Sequence, residues 1–212
     1  PVFRRSQDDQ HGPDDFHGSG GELRLEERRV NGEVLDVWRD AAEQCGIPKI
    51  NEFNRGDNFG NAYFQMNQRT GKRWSAARAF LDAAQPRPNL TVMTEATVES
   101  LSFNTDADGL RATGVTLIHK GQRRDIEATS EVLLAAGAIA SPQLLQLSGI
   151  GRPDDLRAHD IAVRHSLDGV GQNLQDHLQI RTIYQVDNTV TVNQRARTTW
   201  GMAMMGLEYF FK

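Results

Sequence analysis

Cysteine is almost missing: Cys45 is the only one in 212 residues. A single thiol forms no intrachain disulfide, so a disulfide-stapled scaffold is excluded and a reducing compartment, the cytoplasm, is expected. Long apolar runs are missing too. No stretch approaches the roughly 20 residues that a spanning helix needs, and Pro1 to Gln10 is too polar and charged to read as a signal peptide. There is no excess of positive charge. Lys and Arg number 24 against 28 Asp and Glu, a net charge of -4, and the basic residues form no run interleaved with aromatics, so no nucleic-acid partner is expected. The six histidines (His11, His17, His119, His159, His165, His177) show no metal-ligand spacing, and neither HExxH nor GxSxG occurs. A dinucleotide fingerprint needs a third glycine three residues after the second. Its three starts, at Gly18, Gly149 and Gly169, reach Leu23, Asp154 and Leu174 at that position, so none completes it.

What is present reads as globular. Charged residues make up 25% and hydrophobic residues 38%, enough for one large domain or two small ones. Residues 1–32 are charge-rich, with Gly18-Ser-Gly-Gly21 as a loop. The spacing of Val34, Val37, Trp38, Ala41 and Cys45 predicts a helix over 33–45, stopped by Gly46 and Pro48. Cys45 reads there as a small buried hydrophobe. A second helix is expected from an N-cap at Ser75 through Leu81, ended by Pro86 and Pro88. Leu90–Thr94, Val98–Phe103, Val115–Ile118 and Arg124–Ala128 read as strands of an antiparallel meander, with turns at 104–109 and at Lys120-Gly121. Val132-Leu-Leu-Ala135 is wholly apolar and reads as a strand buried on both faces. It leads through Ala136-Gly137 to a helix with Ser141 at the N-cap and Pro142 at the first helical position. A short helix near 153–159, a loop over 169–177, an alternating strand over Leu178–Tyr184 and a final helix over Trp200–Phe211 complete the chain. The fold class is therefore mixed α/β or α+β. The opening at Pro1 without Met and the apolar close at Gly206–Lys212 both read as cuts, with trimmed disordered ends as the alternative.

The stretch Gly137-Ala-Ile-Ala-Ser-Pro-Gln-Leu-Leu-Gln-Leu-Ser-Gly-Ile-Gly151 resembles the second signature of the glucose–methanol–choline (GMC) oxidoreductases. Val170-Gly-Gln-Asn-Leu-Gln-Asp-His177 resembles the element that follows it. Gly71-Lys-Arg-Trp-Ser-Ala-Ala-Arg-Ala-Phe-Leu81, Phe16-His-Gly18 with Gly21, and Pro1-Val-Phe-Arg-Arg-Ser6 resemble earlier segments. The resemblance spans essentially the whole chain and is nearest the choline-dehydrogenase-like branch.

That resemblance implies an FAD-dependent enzyme that oxidises the CH–OH group of choline or another small-molecule alcohol by hydride transfer to flavin. It implies peripheral and substrate-domain elements over 1–85, part of a Rossmann-like FAD domain over 86–178, and the start of a substrate-domain sheet and helix over 179–212. It places Val98 at the adenine end of FAD through its backbone. Ala136, Gly137 and Ser141 fall at the strand–helix junction that lines FAD, and Asn173 in a loop near the flavin. His177 reads as a structural hydrogen-bonding histidine. The family's N-terminal GxGxxG and its C-terminal histidine pair, which supplies the base, have no counterpart in these residues. No catalytic residue is therefore assigned, and the isolated chain is expected to be inactive, to hold little or no FAD and to self-associate through exposed surface. Two alternatives stay open: an FAD-containing lyase of the same family, and an inactive isolated domain.

Overall fold

The structure, a computed structural model, describes residues 2–29, 32–107 and 109–211. Pro1 and Lys212, where the two cuts were read, and Asp108, inside the 104–109 turn, lie outside the described residues. In chain order the elements are α1 (Val2–Ser6), β1 (Gln7–Asp9), β2 (Leu23–Leu25), α2 (Glu33–Gln44), β3 (Gln68–Arg69), β4 (Lys72–Arg73), a π-helical turn (Ala77–Leu81), α3 (Asp82–Ala84), β5 (Ala96–Asp106), β6 (Gly109–His119), β7 (Gln122–Glu127), α4 (Gly137–Leu147), β8 (Ile150–Gly151), α5 (Pro153–Ala158), β9 (His165–Ser166), α6 (Val192–Ala196) and α7 (Thr199–Phe211). The mixed α/β class expected from the sequence is what forms. The chain divides into two compact units, Pro1–Thr91 with Ile183–Lys212, and Val92–Thr182.

The first unit is built mainly on short elements and polar contacts. β1 pairs with β2 in parallel, and β3 with β4 antiparallel. Gly18 and Gly21 let the loop press on the segment before it. A Cβ at Gly18 would lie 1.7 Å from the Arg4 carbonyl oxygen, and one at Gly21 would lie 2.3 Å from the Ser6 carbonyl carbon. Asp14 accepts from the backbone amides of Phe16 and His17, at 2.7 Å each, and pairs with Arg55. His17 is buried, with Nδ1 3.1 Å from Asp14 and Nε2 3.2 Å from Glu52, and Arg55 also reaches Glu52. Two loops far apart in sequence are thereby tied by four charged or titratable side chains. α6 begins on a capping box, in which Thr191 and Gln194 satisfy each other's amides.

The second unit rests on the three-stranded antiparallel sheet β5-β6-β7. Lys120 (φ 51°) and Gly121 (φ 76°) make the two-residue turn between β6 and β7 with positive φ at both positions, the twist a tight hairpin favours. β5 carries a bulge, since Val98 pairs with Leu117 and Ser100 with Thr116, which leaves Glu99 as the extra residue. Leu101 and Leu117 are buried on this sheet, and Leu156 of α5 is the most enclosed side chain, at 2% exposure. β8 and β9 add a parallel bridge, Ile150 with His165 and Gly151 with Ser166.

Several expectations are corrected. Val132–Ala135 is not a buried strand: it has no ladder, and Leu133 is 80% exposed. Leu90–Thr94 and Leu178–Tyr184 are likewise irregular. In all three the apolar pattern is right for a strand, but no neighbouring strand among the described residues hydrogen-bonds to it, and a lone strand gains nothing to offset its ordering entropy. Cys45 is exposed rather than buried, because the apolar face of α2 borders an open groove shared with Tyr184 and Val186. The helix expected from Ser75 forms as a π-helical turn followed by one short α-helical turn. Ser75 still accepts from the Arg78 amide, at 3.5 Å. On α7, Trp200, Met204, Leu207 and Phe211 are exposed.

Two outcomes follow. Leu156→Ala should lower the stability of the second unit by about 2–5 kcal/mol in urea unfolding, as truncation of an enclosed Leu does. The His17 amide, the Phe16 amide and the Arg55 guanidinium hold the Asp14 carboxyl well below the usual carboxylate range. Its contribution to stability is therefore complete above about pH 4 and is lost as pH falls towards the depressed value. Asp14→Asn should make the first unit less stable at neutral pH and flatten the acid limb of its stability curve, read by thermal unfolding from about pH 7 to about pH 2.

Candidate functional site

The strand-free approach Val132–Ala136 enters α4 at Gly137, whose φ is 87°. That left-handed conformation favours glycine, and a Cβ placed there would meet nothing within 4 Å. The backbone at Gly137 is therefore open to an approaching group. The first-turn amides of an α-helix have no intrahelical acceptor and carry partial positive charge.

Ser141 does not stand at the N-cap, as its sequence position predicted. The helix starts four residues earlier, at Gly137, with Ala136 as the cap residue and Pro142 inside the helix. Ser141 instead turns back, and its Oγ accepts from the Ala136 amide at 3.0 Å. The cap is thus made from within the helix. Pro142 can stand so near the start because only the Ala138 carbonyl loses its amide partner.

A groove of about 520 Å³ lies beside this helix. Ala138, Ile139, Ser141 and Gln146 form one wall, and the loop Gly169–Gln172 with Leu174 forms the other. The two walls are joined by Gln146, whose Nε2 donates to the Val170 carbonyl at 3.5 Å. Gly171, with φ 76°, is held against that amide: a Cβ there would lie 2.7 Å from Gln146 Nε2. Asn173 belongs to the same loop and also has positive φ, 55°, a conformation Asn tolerates better than most residues. Its Oδ1 accepts from Gln175 at 3.3 Å.

Of the expected site residues only Ser141 lines this groove; Ala136 and Gly137 precede it at the start of α4, and Asn173 stands between the lining residues Gln172 and Leu174. Val98 is not among the groove residues. It sits on β5, 38% exposed, beside the Glu99 bulge. Its link to α4 runs through Ser148, which singling out site residues by sequence passed over. Ser148 is 4% exposed. Its Oγ accepts from the Leu101 amide at 2.8 Å and donates to the Leu144 carbonyl at 2.6 Å. The available signal was its place in Ser148-Gly-Ile-Gly151, the close of the family-like stretch. Both glycines there have a physical reason. A Cβ at Gly149 would lie 2.5 Å from the Ala162 carbonyl oxygen, and one at Gly151 would crowd the Gln146 side chain at 3.3 Å. His177 is exposed and makes only local hydrogen bonds, through its amide to Asp176 and its Nδ1 to the Leu178 carbonyl. Among the described residues no group of His, Cys, Asp or Glu is placed to hold a metal ion, and no helix is long and apolar enough to cross a membrane.

Such a site offers backbone donors and an open glycine at the helix start beside a mainly apolar groove whose polar side chains are Ser141, Gln143, Gln146 and Gln172, equipment for binding a ligand with both oxygen-rich and apolar parts. It holds no group poised as a general base. Comparison with known proteins adds the following. A family profile described as GMC oxidoreductase matches residues 5–179. The oxygen-dependent choline dehydrogenase of Stenotrophomonas maltophilia (strain R551-3) is 39% identical over the whole chain, which covers 37% of that protein. The mitochondrial choline dehydrogenase of Homo sapiens is 38% identical, again over the whole chain and over 35% of its own length. Among solved structures, an FAD-dependent oxidoreductase from Chaetomium thermophilum superposes with a TM-score of 0.75 at 27% identity, over 83% of this chain and 32% of that one. The chain thus spans little more than a third of the curated relatives it matches.

Ser141→Ala should remove the acceptor of the Ala136 amide and destabilise the start of α4 by about 1 kcal/mol. Hydrogen exchange should show faster exchange at 136–140 with β5 to β7 unchanged.

Proposed function

This chain belongs to the GMC oxidoreductase family, and we propose that it supplies the central part of an FAD-dependent enzyme that oxidises choline or a similar small-molecule alcohol. The observation that carries the reading is the folded form of Gly137–Gly151. There the family-like stretch leaves an open glycine and free helix amides at the start of α4, followed within the same helix by Ser141, which lines a groove.

The residues present fit part of FAD. Gly137 leaves room for close approach of a ligand to the backbone, and the first-turn amides of α4 would donate to its oxygen atoms. Ser141, with its acceptor position engaged by Ala136, keeps its hydroxyl proton for a ligand. Asn173 would close the loop side, and Val98 would meet the adenine end through its backbone. When bound, FAD supplies hydride acceptance, while the protein binds, orients and excludes water. We assign the unit Val92–Thr182 to the cofactor side, in line with the 86–178 segment expected from sequence, and the remainder to peripheral and substrate-domain elements.

No residue of this chain is proposed as the base that takes the alcohol proton. These five positions contribute too few contacts to offset the cost of association with FAD, so the 212 residues alone should hold it weakly and turn over no alcohol. Their exposed apolar faces on α2 and α7 favour self-association at high concentration. The single cysteine supports a reducing compartment, the cytosol being the simplest.

The full-length protein containing this chain should purify with a flavin absorbance spectrum that bleaches when choline or another alcohol is added without oxygen. A flavin-free full-length protein would sink the proposal. A flavin that stays oxidised with every alcohol would favour the lyase alternative.

A further inference from the structure

We propose that Ser148 is a positioning residue that sets the adenine-side strand against the helix of the cofactor site; the inference rests on the FAD reading given above. The elements of that site come from separate parts of the chain: β5 with Val98, the start of α4 with Ala136, Gly137 and Ser141, and the loop with Asn173. Helix amides and strand backbone can grip one ligand together only if their spacing is fixed to a fraction of an ångström. Ser148 is placed to fix it.

Its own backbone is held first. As the C-cap of α4 its amide donates to the Leu144 and Leu145 carbonyls. Its hydroxyl proton then goes to the Leu144 carbonyl at 2.6 Å, which locks the side-chain rotor. Its oxygen accepts from the Leu101 amide at 2.8 Å. β5 is an edge strand of its sheet, so one row of its backbone groups points away from β6. The Leu101 amide belongs to that row, and it is buried. It lies three residues from Val98, on the far side of the bulged Glu99. A bulge weakens the hold of the ladder on the backbone around it. The strand near Val98 therefore depends on an anchor outside the sheet, and the Ser148 hydroxyl is one. Gly149 and Gly151, which admit no Cβ without displacing Ala162 or Gln146, keep Ser148 at that spot.

Ser148 does not itself line the groove. Loss of its hydroxyl should be felt at the adenine end of the ligand and nowhere else in it. In the full-length enzyme stripped of flavin, Ser148→Ala should weaken FAD and ADP to the same extent, about tenfold each, because one buried amide loses its acceptor and both ligands share the adenine half. Leu156→Ala, in the same unit but taking part in neither of these bonds, should lower the melting temperature and leave both dissociation constants within about twofold of the unaltered protein. In the unaltered protein, ADP should slow hydrogen exchange at the Leu101 amide, a measurement that needs no variant to fold.

Unchanged affinities in Ser148→Ala, a loss for FAD that ADP does not share, equal losses in Leu156→Ala, or a Leu101 amide indifferent to ADP would each overturn the inference while leaving the FAD reading intact. Failure of the unaltered full-length protein to bind FAD would overturn the FAD reading itself and this inference with it.

Discussion

A single hydroxyl group carries the architecture of the Val92–Thr182 unit. Ser148 Oγ is donor to Leu144 and acceptor from Leu101 at once, so both of its hydrogen-bonding capacities are spent on backbone atoms of two different elements. A buried amide left without an acceptor costs about 1–3 kcal/mol, and the Leu101 amide has no ladder partner to fall back on. With that bond made, the hairpin sheet and α4 are held at a fixed distance. The residues on either side of Ser148 then distribute the constraint. Gly149 takes the carbonyl of its own turn to the amides of Arg164 and His165, and Gly151 receives Leu167. The helix, the sheet, the β8–β9 bridge and the Val170 loop all meet within the six residues from Gln146 to Gly151.

The other unit solves the same problem with charge. Its buried apolar side chains among the described residues are small, Ala42 and Ala79, and its strands are two or three residues long. Cohesion there comes from side chains that reach across loops. His17 meets Asp14 and Glu52, Arg55 spans the same two carboxylates, and Asp8 accepts from the Gly20 amide and pairs with Arg24 and Arg69. The Gly20 amide first, and the two arginines with it, keep the Asp8 carboxyl below its ordinary range. A unit held this way is sensitive to acid in a manner that a packed apolar core is not.

What could be read from the sequence divides along a physical line. Elements whose stability is local were legible. The helix at 33–45, the hairpin turn at Lys120-Gly121 and the final helix formed within a residue or two of expectation, because caps, positive-φ positions and helical spacing act over a few residues. Elements that need a distant partner were not. Val132–Ala135 and Leu178–Tyr184 have strand composition, but among the described residues no strand pairs with them. Of the candidate site, Gly137 and Ser141 were legible as a junction, although Ser141 caps from inside the helix rather than ahead of it. Ser148 was hidden because its role lies in a bond to residue 101, 47 positions away, and no local pattern records such a bond.

This difference bears on how the helix start is aimed. In an ordinary strand–helix unit the preceding strand is fixed in a sheet and delivers the helix N-terminus to its ligand. Here, among the described residues, the segment before α4 pairs with no strand. The aim comes from the opposite end. Gln146 fixes α4 against the 169–174 loop, and the helix carries that constraint back to Gly137, while Ser148 at the C-cap holds β5 to the helix. The Gly137–Gly151 stretch can then be understood as one device. Its first residues leave backbone donors free at the helix start, its last residues hold the helix against β5, and the apolar turns between them join the two.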